Sequence, residues 1–382
     1  MNVYVRELSS ALASAGVSCD VYTRAWRAGL PEVVDVEPGV RVHHIEAGPT
    51  TALTKDDLPD VVGAFTKGVL GRVLDGYDAG AIHANYWLSG VAGHALKHEL
   101  DLPLVSTFHT LARVKADEAS ERESDRRARA EADVIGCSDV ILASNTEEQA
   151  QLERLYGAVP ERIEIVPPGV DHDLFAPGDR VAARAALGLD EHGPLLLFVG
   201  RIQPLKGLDV AVRALAALDR DDARLAVVGG PSGPEGPAEL ARVQRLVEGL
   251  GLGGRVRFVA PQPHRRLAAW YRAADVCLVP SRSESFGLVA LEAAACGTPV
   301  VAAAVGGLRT LVDHGHTGFL VDGRDPAAYA AYTGEILGNP TLAAEMSMSA
   351  AARSGRYRWS ITAARLRRLY ADLTARSLVE CR

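Results

Sequence analysis

Short apolar runs alternate with segments of helical periodicity along almost the whole chain, and this alternation restricts the fold more than any other feature. Runs such as PLVSTFHT (103–110), PLLLFVGR (194–201) and DVCLVPS (275–281) are apolar on both faces. Strands buried on both faces, with helices between them, are typical of parallel sheets covered by helices. The sequence therefore predicts an α/β protein with doubly wound parallel sheets.

The length of 382 residues fits two domains, and PPGVDHDLFAPGD (167–179), rich in Pro, Gly and Asp, is the natural join. We predict two Rossmann-like domains, residues 1–172 and 173–358, and an amphipathic helix within 359–382 that crosses back to the first domain. The predicted strands lie at 17–25, 40–47, 79–86, 103–110, 139–145, 162–170, 194–201, 223–230, 255–262, 275–281, 299–307 and 318–323. Helices of the first half are predicted near 57–75, 88–99, 120–136 and 146–156.

Charge and cysteine content exclude several classes of protein. A formal net charge of −7 offers no general basic surface for nucleic acid. No apolar run reaches the roughly 18 residues of a membrane span, and no signal-peptide pattern is present, so we expect a cytoplasmic protein without a membrane anchor. The five cysteines show no CxxC pair and no metal-like spacing, which predicts a reducing compartment and no disulfide framework.

The stretch SRSESFGLVALE (281–292) carries two carboxylates, Glu284 and Glu292, predicted to lie on roughly one face of a helix. The helix would begin near residues 286–288, where exposed backbone N–H groups favour an anion. Carboxylates at these positions can hydrogen-bond a sugar and a ribose. An alternative remains open, in which Glu284 is a helix N-terminal charge and Glu292 a solvated surface residue.

The stretch FVGRIQPLKGLD (198–209) places Arg201 and Lys206 in the turn after a strand. Two cations at the carboxyl end of a parallel strand suit a diphosphate, which Arg grips bidentately and Lys meets as a mobile charge. Two solvated surface cations are the alternative.

These residues carry a resemblance to a known family. RIQPLK (201–206), the run from SRSESFG to AVGG (281–307) and GFLVDG (318–323) resemble the retaining glycosyltransferases of family 4, which have the GT-B fold of two Rossmann-like domains facing a cleft. The resemblance covers essentially the whole chain and is most specific in ESFGLVALE, with its E-x7-E pattern. MNVYVREL, TKDDLP, NYWLSG, HTLARVK and PPGVDHDLF resemble the mycothiol-pathway member that moves GlcNAc from UDP-GlcNAc to 1L-myo-inositol 1-phosphate, also called D-inositol 3-phosphate.

The resemblance implies a role for each donor-site residue. Arg201 and Lys206 would neutralise the donor diphosphate, and Glu284 would contact the donor sugar. His109 would sit at the reacting centre. The remaining predicted donor contacts are Ser285, Phe286, Gly287, Leu288 and, for the ribose, Glu292.

For the acceptor, the resemblance implies a phosphate site and one contact with the inositol ring, by Asn2. The phosphate residues would be Lys55, Tyr86, Thr110 and an arginine, for which Arg127 matches best and Arg126 and Arg129 are rivals. Scattered surface polar residues are the alternative interpretation. The substrates would be small molecules, and a homodimer is implied by the resemblance alone.

The resemblance also implies same-face attack, in which the departing diphosphate helps to deprotonate the acceptor hydroxyl. No Asp or Glu is placed near His109 to act as a covalent nucleophile, as a double displacement would need. We expect no cofactor and no metal, and read the Asp171-His172-Asp173 triplet in the interdomain linker as structural.

Two departures from the family pattern keep other functions open. The loop at 115–139 is a charge-rich run beside the predicted acceptor pocket, and Arg282 occupies a position where the family often has another residue. A relative that uses another nucleotide-sugar and a non-phosphorylated cyclitol or thiol, such as ergothioneine, is the second hypothesis. A binding protein without transfer activity is the third, against which the intact motif residues argue.

The start of the chain is unusual for an α/β domain. MNVYVRELSSALASAG (1–16) has the pattern of an amphipathic helix, with Val5, Leu8 and Leu12 on one stripe and Gly16 as a C-terminal stop. In the family this helix follows a strand and a Gly-Gly turn. We therefore expect a short apolar strand ending in Gly-Gly to be encoded before Met1, pairing in the first sheet between the strands near 81 and 19.

Overall fold

The computed structural model describes residues 2–76, 79–117, 125–189 and 193–381. The chain divides into two compact units. Unit 1 comprises Met1–Gly169 together with Trp359–Arg382, and unit 2 comprises Val170–Arg358. The division falls at 169/170, where the sequence predicts 172/173.

Unit 1 begins with an alternation of strands and helices that follows the apolar pattern. Its strands are β1 (Cys19–Arg24), β2 (Val33–Glu37), β3 (Val40–Ile45), β4 (Ile82–Asn85), β5 (Leu104–Thr107), β6 (Val140–Ala143) and β7 (Ile163–Ile165). Its helices up to β7 are α1 (Asn2–Ser14), α2 (Val62–Leu74), α3 (Trp87–Leu100), α4 (Ala112–Asp117), α5 (Asp125–Cys137) and α6 (Thr146–Tyr156).

The described strands of unit 1 form two sheets, β1-β3-β2 and β4-β5-β6-β7. The second sheet is parallel throughout, as predicted. The first is mixed, because β2 pairs antiparallel with β3 while β1 pairs parallel with it. The sequence does not predict β2, since its residues are exposed or half-buried and show no apolar run. In these sheets β1 and β4 are edge strands, and the further strand that the sequence predicts between them remains a prediction.

Unit 2 contains one six-stranded parallel sheet in the order β10-β9-β8-β11-β12-β13. The strands are β8 (Leu195–Val199), β9 (Arg224–Val228), β10 (Val256–Val259), β11 (Val276–Val279), β12 (Val300–Ala303) and β13 (Gly318–Val321). The helices are α7 (Arg180–Ala186), α8 (Leu208–Ala217), α9 (Gly236–Gly249), α10 (His264–Ala273), α11 (Leu288–Ala295), α12 (Leu308–Leu311), α13 (Pro326–Gly338) and α14 (Pro340–Ser354).

The core of unit 2 lies on both faces of this sheet. Along β8, Leu195 and Leu197 pack in one hydrophobic cluster, whereas Leu196 and Phe198 pack in the other. Successive side chains of a strand point to opposite faces, so this alternation shows that helices cover both. The continuous apolar run that predicts a buried strand thus has a direct structural cause.

The last helix, α15 (Trp359–Thr374), belongs to unit 1 and packs against α1. Trp359, Ala363 and Leu366 share a hydrophobic cluster with Tyr4 and Leu8 of α1. The rings of Tyr4 and Trp359 lie 5.4 Å apart at 72°, an edge-to-face arrangement favoured by aromatic quadrupoles. The apolar stripe predicted for α1 is therefore the surface that holds α15.

The tail after α15 is joined to the body of unit 1 by a disulfide between Cys137 and Cys381. The expectation that the cysteines form no disulfide is wrong for this pair. The two residues are 244 positions apart, so their spacing gives no signal. Among the described helices, none has the length and apolar character needed to cross a membrane.

Candidate functional site

The predicted donor residues of unit 2 lie in loops at the carboxyl ends of β8 and β11. Lys206 follows β8, and Glu284 follows β11. Lys206 Nζ donates a hydrogen bond to Glu284 Oε2 at 2.6 Å. Ser281 Oγ donates to the same carboxylate oxygen at 3.2 Å. The backbone N–H of Arg282 donates to the carbonyl of Leu205 at 2.8 Å, which fixes one loop against the other. The structure thus brings the predicted cation and carboxylate together.

Gly306 and Gly307, which follow β12, pack against the backbone of the loop that carries Glu284. The N–H of Gly307 donates to the carbonyl of Glu284 at 3.0 Å. A Cβ at Gly306 would lie 2.1 Å from that carbonyl oxygen, and φ at Gly306 is +43°. Only glycine permits both this approach and this backbone conformation without strain. These glycines therefore position the backbone that carries Glu284.

Helix α11 begins at Leu288, after Gly287 with φ of +100°. Glu284 therefore lies in the preceding loop, and the prediction that it shares a helix face with Glu292 is wrong. The alternative of a helix N-terminal charge is wrong for the same reason. The turn 285–287 ends at the first N–H groups of α11, which have no carbonyl partner within the helix. Phe286 is buried and packs on Tyr357, so only its backbone can face a ligand.

Glu292 is buried, which excludes the alternative of a solvated surface residue. Its Oε1 is 2.8 Å from His264 Nε2, and its Oε2 accepts from the hydroxyl of Tyr271 at 2.8 Å. Burial, reinforced by the Glu292 charge, holds the pKa of Tyr271 well above its ordinary value, so this phenol remains a donor. The sequence analysis does not identify these two partners. They fix the rotamer of Glu292.

Arg201 follows β8 and is exposed. Within the described part of the chain, no hydrogen bond or ion pair holds its guanidinium. Lys206, by contrast, is about one-fifth exposed and fixed by Glu284. The predicted diphosphate site therefore combines one cation held by Glu284 with one that is exposed to solvent.

His109 of unit 1 follows β5 and has a left-handed backbone, with φ of +61°. Its Nε2 is 3.0 Å from Asn85 Oδ1, and its ring meets that of Tyr4 edge-on at 4.7 Å. Burial lowers the pKa of His109 to about 3. The imidazole is therefore neutral at pH 7 and can act by hydrogen bonding but not as a cation. Asn85 is a partner that the sequence analysis misses, although it ends the neighbouring strand.

Three predicted acceptor residues, Tyr86, Thr110 and Arg127, meet in unit 1. Arg127 NH2 donates to the carbonyl of Thr110 at 2.8 Å and to its Oγ1 at 3.0 Å. The guanidinium carbon lies 5.2 Å from the centre of the Tyr86 ring, within cation–π range. Tyr86, like His109, has positive φ, at +80°.

Arg127 is buried and paired with a buried carboxylate. Its Nε donates to Glu131 Oε1 at 2.7 Å, and both side chains are at most 4% exposed. Glu131 Oε2 accepts from the Ala112 N–H at 2.9 Å and from the Tyr156 hydroxyl. Glu131 thus orients Arg127, a role for which the sequence offers only the i,i+4 spacing as a signal.

The other predicted acceptor residues lie outside this cluster. Arg126 pairs with Asp60 and Arg129 contacts the carbonyl of Asp125, both at exposed positions, so Arg127 is the one of the three arginines that reaches Thr110. Lys55 and Asn2 are exposed, and no contact links either to Tyr86, Thr110 or Arg127 within the described residues. Residues 118–124 of the charge-rich loop, and Met1, lie outside the described residues.

The Asp171-His172-Asp173 triplet forms a local turn. Asp171 Oδ1 accepts from the N–H groups of Asp173 and Leu174, at 2.9 and 3.3 Å. His172 Nε2 is 3.2 Å from the carbonyl of Ser354. Asp171 and His172 thus have contacts within unit 2 that fit the structural role expected from the sequence.

Comparisons with known proteins agree with these motifs. Residues 1–174 match the family model "Glycosyltransferase Family 4", and residues 179–353 match "Glycosyl transferases group 1". The chain is 46% identical to D-inositol 3-phosphate glycosyltransferase 2 of Catenulispora acidiphila, over 100% of this chain and 91% of that protein. It is 48% identical to D-inositol 3-phosphate glycosyltransferase of Xylanimonas cellulosilytica, over 98% and 92%.

Among solved structures, the chain is similar to the sucrose-phosphate synthase of Thermosynechococcus elongatus. The TM-score is 0.92 and the identity 35%, over 98% of this chain and 93% of that one. The chain belongs to the family 4 glycosyltransferases, and its two Rossmann-like units have the GT-B fold.

Proposed function

We propose that this glycosyltransferase moves GlcNAc from UDP-GlcNAc to 1L-myo-inositol 1-phosphate, with retention of configuration and without a metal ion, as a step of mycothiol biosynthesis. The assembly of Tyr86, Thr110 and Arg127 in unit 1 is the observation that carries the proposal. Relatives named D-inositol 3-phosphate glycosyltransferase, 46–48% identical over nearly full length, support the acceptor. The name of the sucrose-phosphate synthase also indicates phosphorylated-sugar chemistry in a similar structure.

The acceptor cluster offers donors of the kinds that a phosphomonoester needs. Arg127 supplies a planar guanidinium, and Tyr86 and Thr110 supply hydroxyl groups. Glu131 balances the charge of Arg127, so Lys55 would supply the additional positive charge that a phosphate dianion requires. Because Lys55 is exposed and outside the cluster, the proposal includes its movement toward the bound phosphate.

In unit 2, Lys206 and Arg201 would bind the donor diphosphate together with the N–H groups at the start of α11. Glu284 would accept hydrogen bonds from sugar hydroxyls, and Glu292 from the ribose. The protein would then stabilise charge that develops on the leaving diphosphate, in the manner of pre-organised donors. The diphosphate itself would take the proton of the attacking inositol hydroxyl on the same face of the sugar.

His109 would contribute as a neutral hydrogen-bonding group. With its pKa near 3, it carries no charge at pH 7 and does not repel a developing oxocarbenium ion. Asn85 and Tyr4 hold the ring in one orientation. We therefore assign it to positioning the donor sugar.

The test is a matrix of donors and acceptors. The protein is incubated in EDTA with UDP- and GDP-sugars, each with and without inositol 1-phosphate, and nucleotide release, product mass and anomeric configuration are measured. The proposal requires an α-linked GlcNAc product that appears only with UDP-GlcNAc and the phosphorylated acceptor. Product formed only with an unphosphorylated cyclitol or a thiol would refute the acceptor and favour the second hypothesis. Loss of activity in EDTA that Mg²⁺ or Mn²⁺ restores would refute metal independence.

A further inference from the structure

Two histidines and two cysteines from three separate segments meet in unit 1, apart from every residue of the proposed transfer reaction. His94 and His98 lie one turn apart on α3, Cys137 is the last residue of α5, and Cys381 lies in the tail after α15. One nitrogen or sulfur atom from each lies within 4.8 Å of the other three. Imidazole and thiolate are the preferred ligands of Zn²⁺.

The distances suit a tetrahedral ion. His98 Nε2 is 3.4 Å from Cys137 Sγ and 3.1 Å from Cys381 Sγ. The rings of His94 and His98 lie 5.3 Å apart and are tilted by 55°. Zinc bonds of about 2.0–2.3 Å place tetrahedral ligands about 3.3–3.8 Å from one another. Cys137 is buried, whereas His94, His98 and Cys381 are exposed or half-buried. Once the disulfide is reduced, the Cys381 sulfur has to part from that of Cys137, and rotations of the three accessible side chains then bring all four atoms around one ion.

Hydrogen bonds that do not involve the sulfur atoms hold the ligand segments together. Lys97, between the two histidines, is 1% exposed and donates to the carbonyls of Cys137 and Val379, at 2.8 and 3.0 Å. Lys97 also forms an ion pair with Asp139 Oδ2 at 2.8 Å. The other carboxylate oxygen of Asp139 accepts a hydrogen bond from the N–H of Val379 at 2.7 Å. The tail is thus tied to α3 and α5 beside the cluster, so the cluster does not depend on the disulfide for its assembly.

We propose that this cluster, with its disulfide reduced, binds one Zn²⁺ through His94, His98, Cys137 and Cys381 and fastens the C-terminal tail to α3 and α5. A cellular thiol supplies the electrons: two RSH reduce the Cys137–Cys381 bond to two thiols and leave as RSSR. Zn²⁺ then displaces one proton from each thiol and accepts two thiolates and two neutral imidazoles. The same sulfur atoms form either a disulfide or two metal bonds, so the reverse exchange with RSSR, which takes up two electrons to give two RS⁻, re-forms the Cys137–Cys381 bond and releases Zn²⁺.

Cobalt is the probe for the first experiment. The full chain is reduced with a phosphine, freed of metal and titrated anaerobically with Co²⁺. The proposal requires one equivalent to produce the visible bands of tetrahedral cobalt and a thiolate-to-cobalt charge-transfer band. The oxidised chain is the internal control and must show neither. Absence of these bands from the reduced chain, or equal binding by both forms, would overturn the proposal.

Zinc affinity is then measured by competition with a chromophoric chelator. His98→Ala and Cys381→Ser should each weaken binding by more than the 10–100-fold that changes outside the ligand shell cost. The matched controls are His316→Ala, at another exposed histidine, and Cys19→Ser, at another cysteine, and both should bind as the parent does. Since His98 is exposed, its replacement leaves the fold intact, and unchanged zinc affinity in His98→Ala would exclude the site.

A second readout follows the tail itself. Hydrogen exchange of residues 375–381 should slow on addition of one equivalent of zinc to the reduced chain. The same addition should have no effect on the tail of His98→Ala. Tail exchange that does not respond to zinc in the parent would contradict the fastening role.

Discussion

The buried ion pair between Arg127 and Glu131 should make a large, measurable contribution to the free energy of unfolding. Both side chains are at most 4% exposed and their atoms lie 2.7 Å apart. Arg127→Met removes the cation and leaves Glu131 buried, with the Ala112 N–H and the Tyr156 hydroxyl as its remaining donors. Removing one partner of a buried pair costs about 3–5 kcal/mol, and we expect that loss in the free energy of unfolding.

The double variant separates the charge imbalance from lost packing. Glu131→Gln keeps an oxygen to accept from Ala112 and Tyr156 while removing the negative charge. Arg127→Met combined with Glu131→Gln should therefore be about 1–3 kcal/mol more stable than the sum of the two single changes predicts. Contacting residues couple in this way because each single change leaves a buried charge unbalanced.

Urea denaturation followed by tryptophan fluorescence measures these energies. A Trp270→Phe background restricts the signal to unit 1, where the other three tryptophans lie. For a unit of this size, the single change should also lower Tm by about 2–4 °C per kcal/mol. A cost below about 1 kcal/mol for Arg127→Met, or strictly additive single changes, would refute the assignment of a buried, charge-balanced pair.

Three further outcomes follow from the surroundings of single residues, among them His83 of β4, whose ring nitrogens contact the hydroxyls of Tyr370 and Thr107 at 2.7 and 2.9 Å. Lys206→Ala should lower turnover by about 10²–10³-fold, as the loss of one charged donor does, whereas Lys67→Ala at an exposed helical position should not. Burial lowers the pKa of His83 to about 4, so its contribution to stability is complete above about pH 6.5 and is lost as the pH falls toward 4. Measured by urea denaturation, the free energy of unfolding of the parent should fall by about 2 kcal/mol more than that of His83→Gln between pH 7 and 4.5. Equal decreases in the two proteins would contradict burial of a neutral ring. Gly306→Ala should reduce turnover at least about 10-fold, because its Cβ would meet the backbone carbonyl of Glu284 in the proposed donor site, whereas Gly188→Ala, with a similar φ but open space, should retain activity.

The apolar strands were predictable because the chain buries them on both faces. Leu104, Val105 and Leu196, for example, are 0% exposed, and such runs stand out in any window of the sequence. Strand β2 was not predictable by the same signal, since Asp35, Val36 and Glu37 are exposed on an edge strand. Its pairing with β3 depends on a turn and a neighbouring strand more than on its own composition.

The candidate site was predictable where its residues fall in one motif and not where they meet through folding. Lys206 and Glu284 each lie in a motif that could be recognised in the sequence, and the structure shows the two side chains in contact. The half-buried Tyr156 and the buried Tyr271 carry no local signal in the sequence, since each reaches its carboxylate from another helix. The cysteine pair is separated by 244 residues, and only the fold brings it to the two histidines.

The left-handed backbone of Tyr86 and His109 has a consequence for the evolution of this enzyme. A bulky residue at positive φ costs about 1–3 kcal/mol of conformational free energy. Two such residues, after β4 and β5, therefore lower the free energy of unfolding of unit 1. Selection for thermal tolerance alone would favour glycine at both positions, whereas the roles proposed for the two side chains in binding substrates would oppose that change. These two positions are where a trade-off between stability and activity should first become visible in a library of variants.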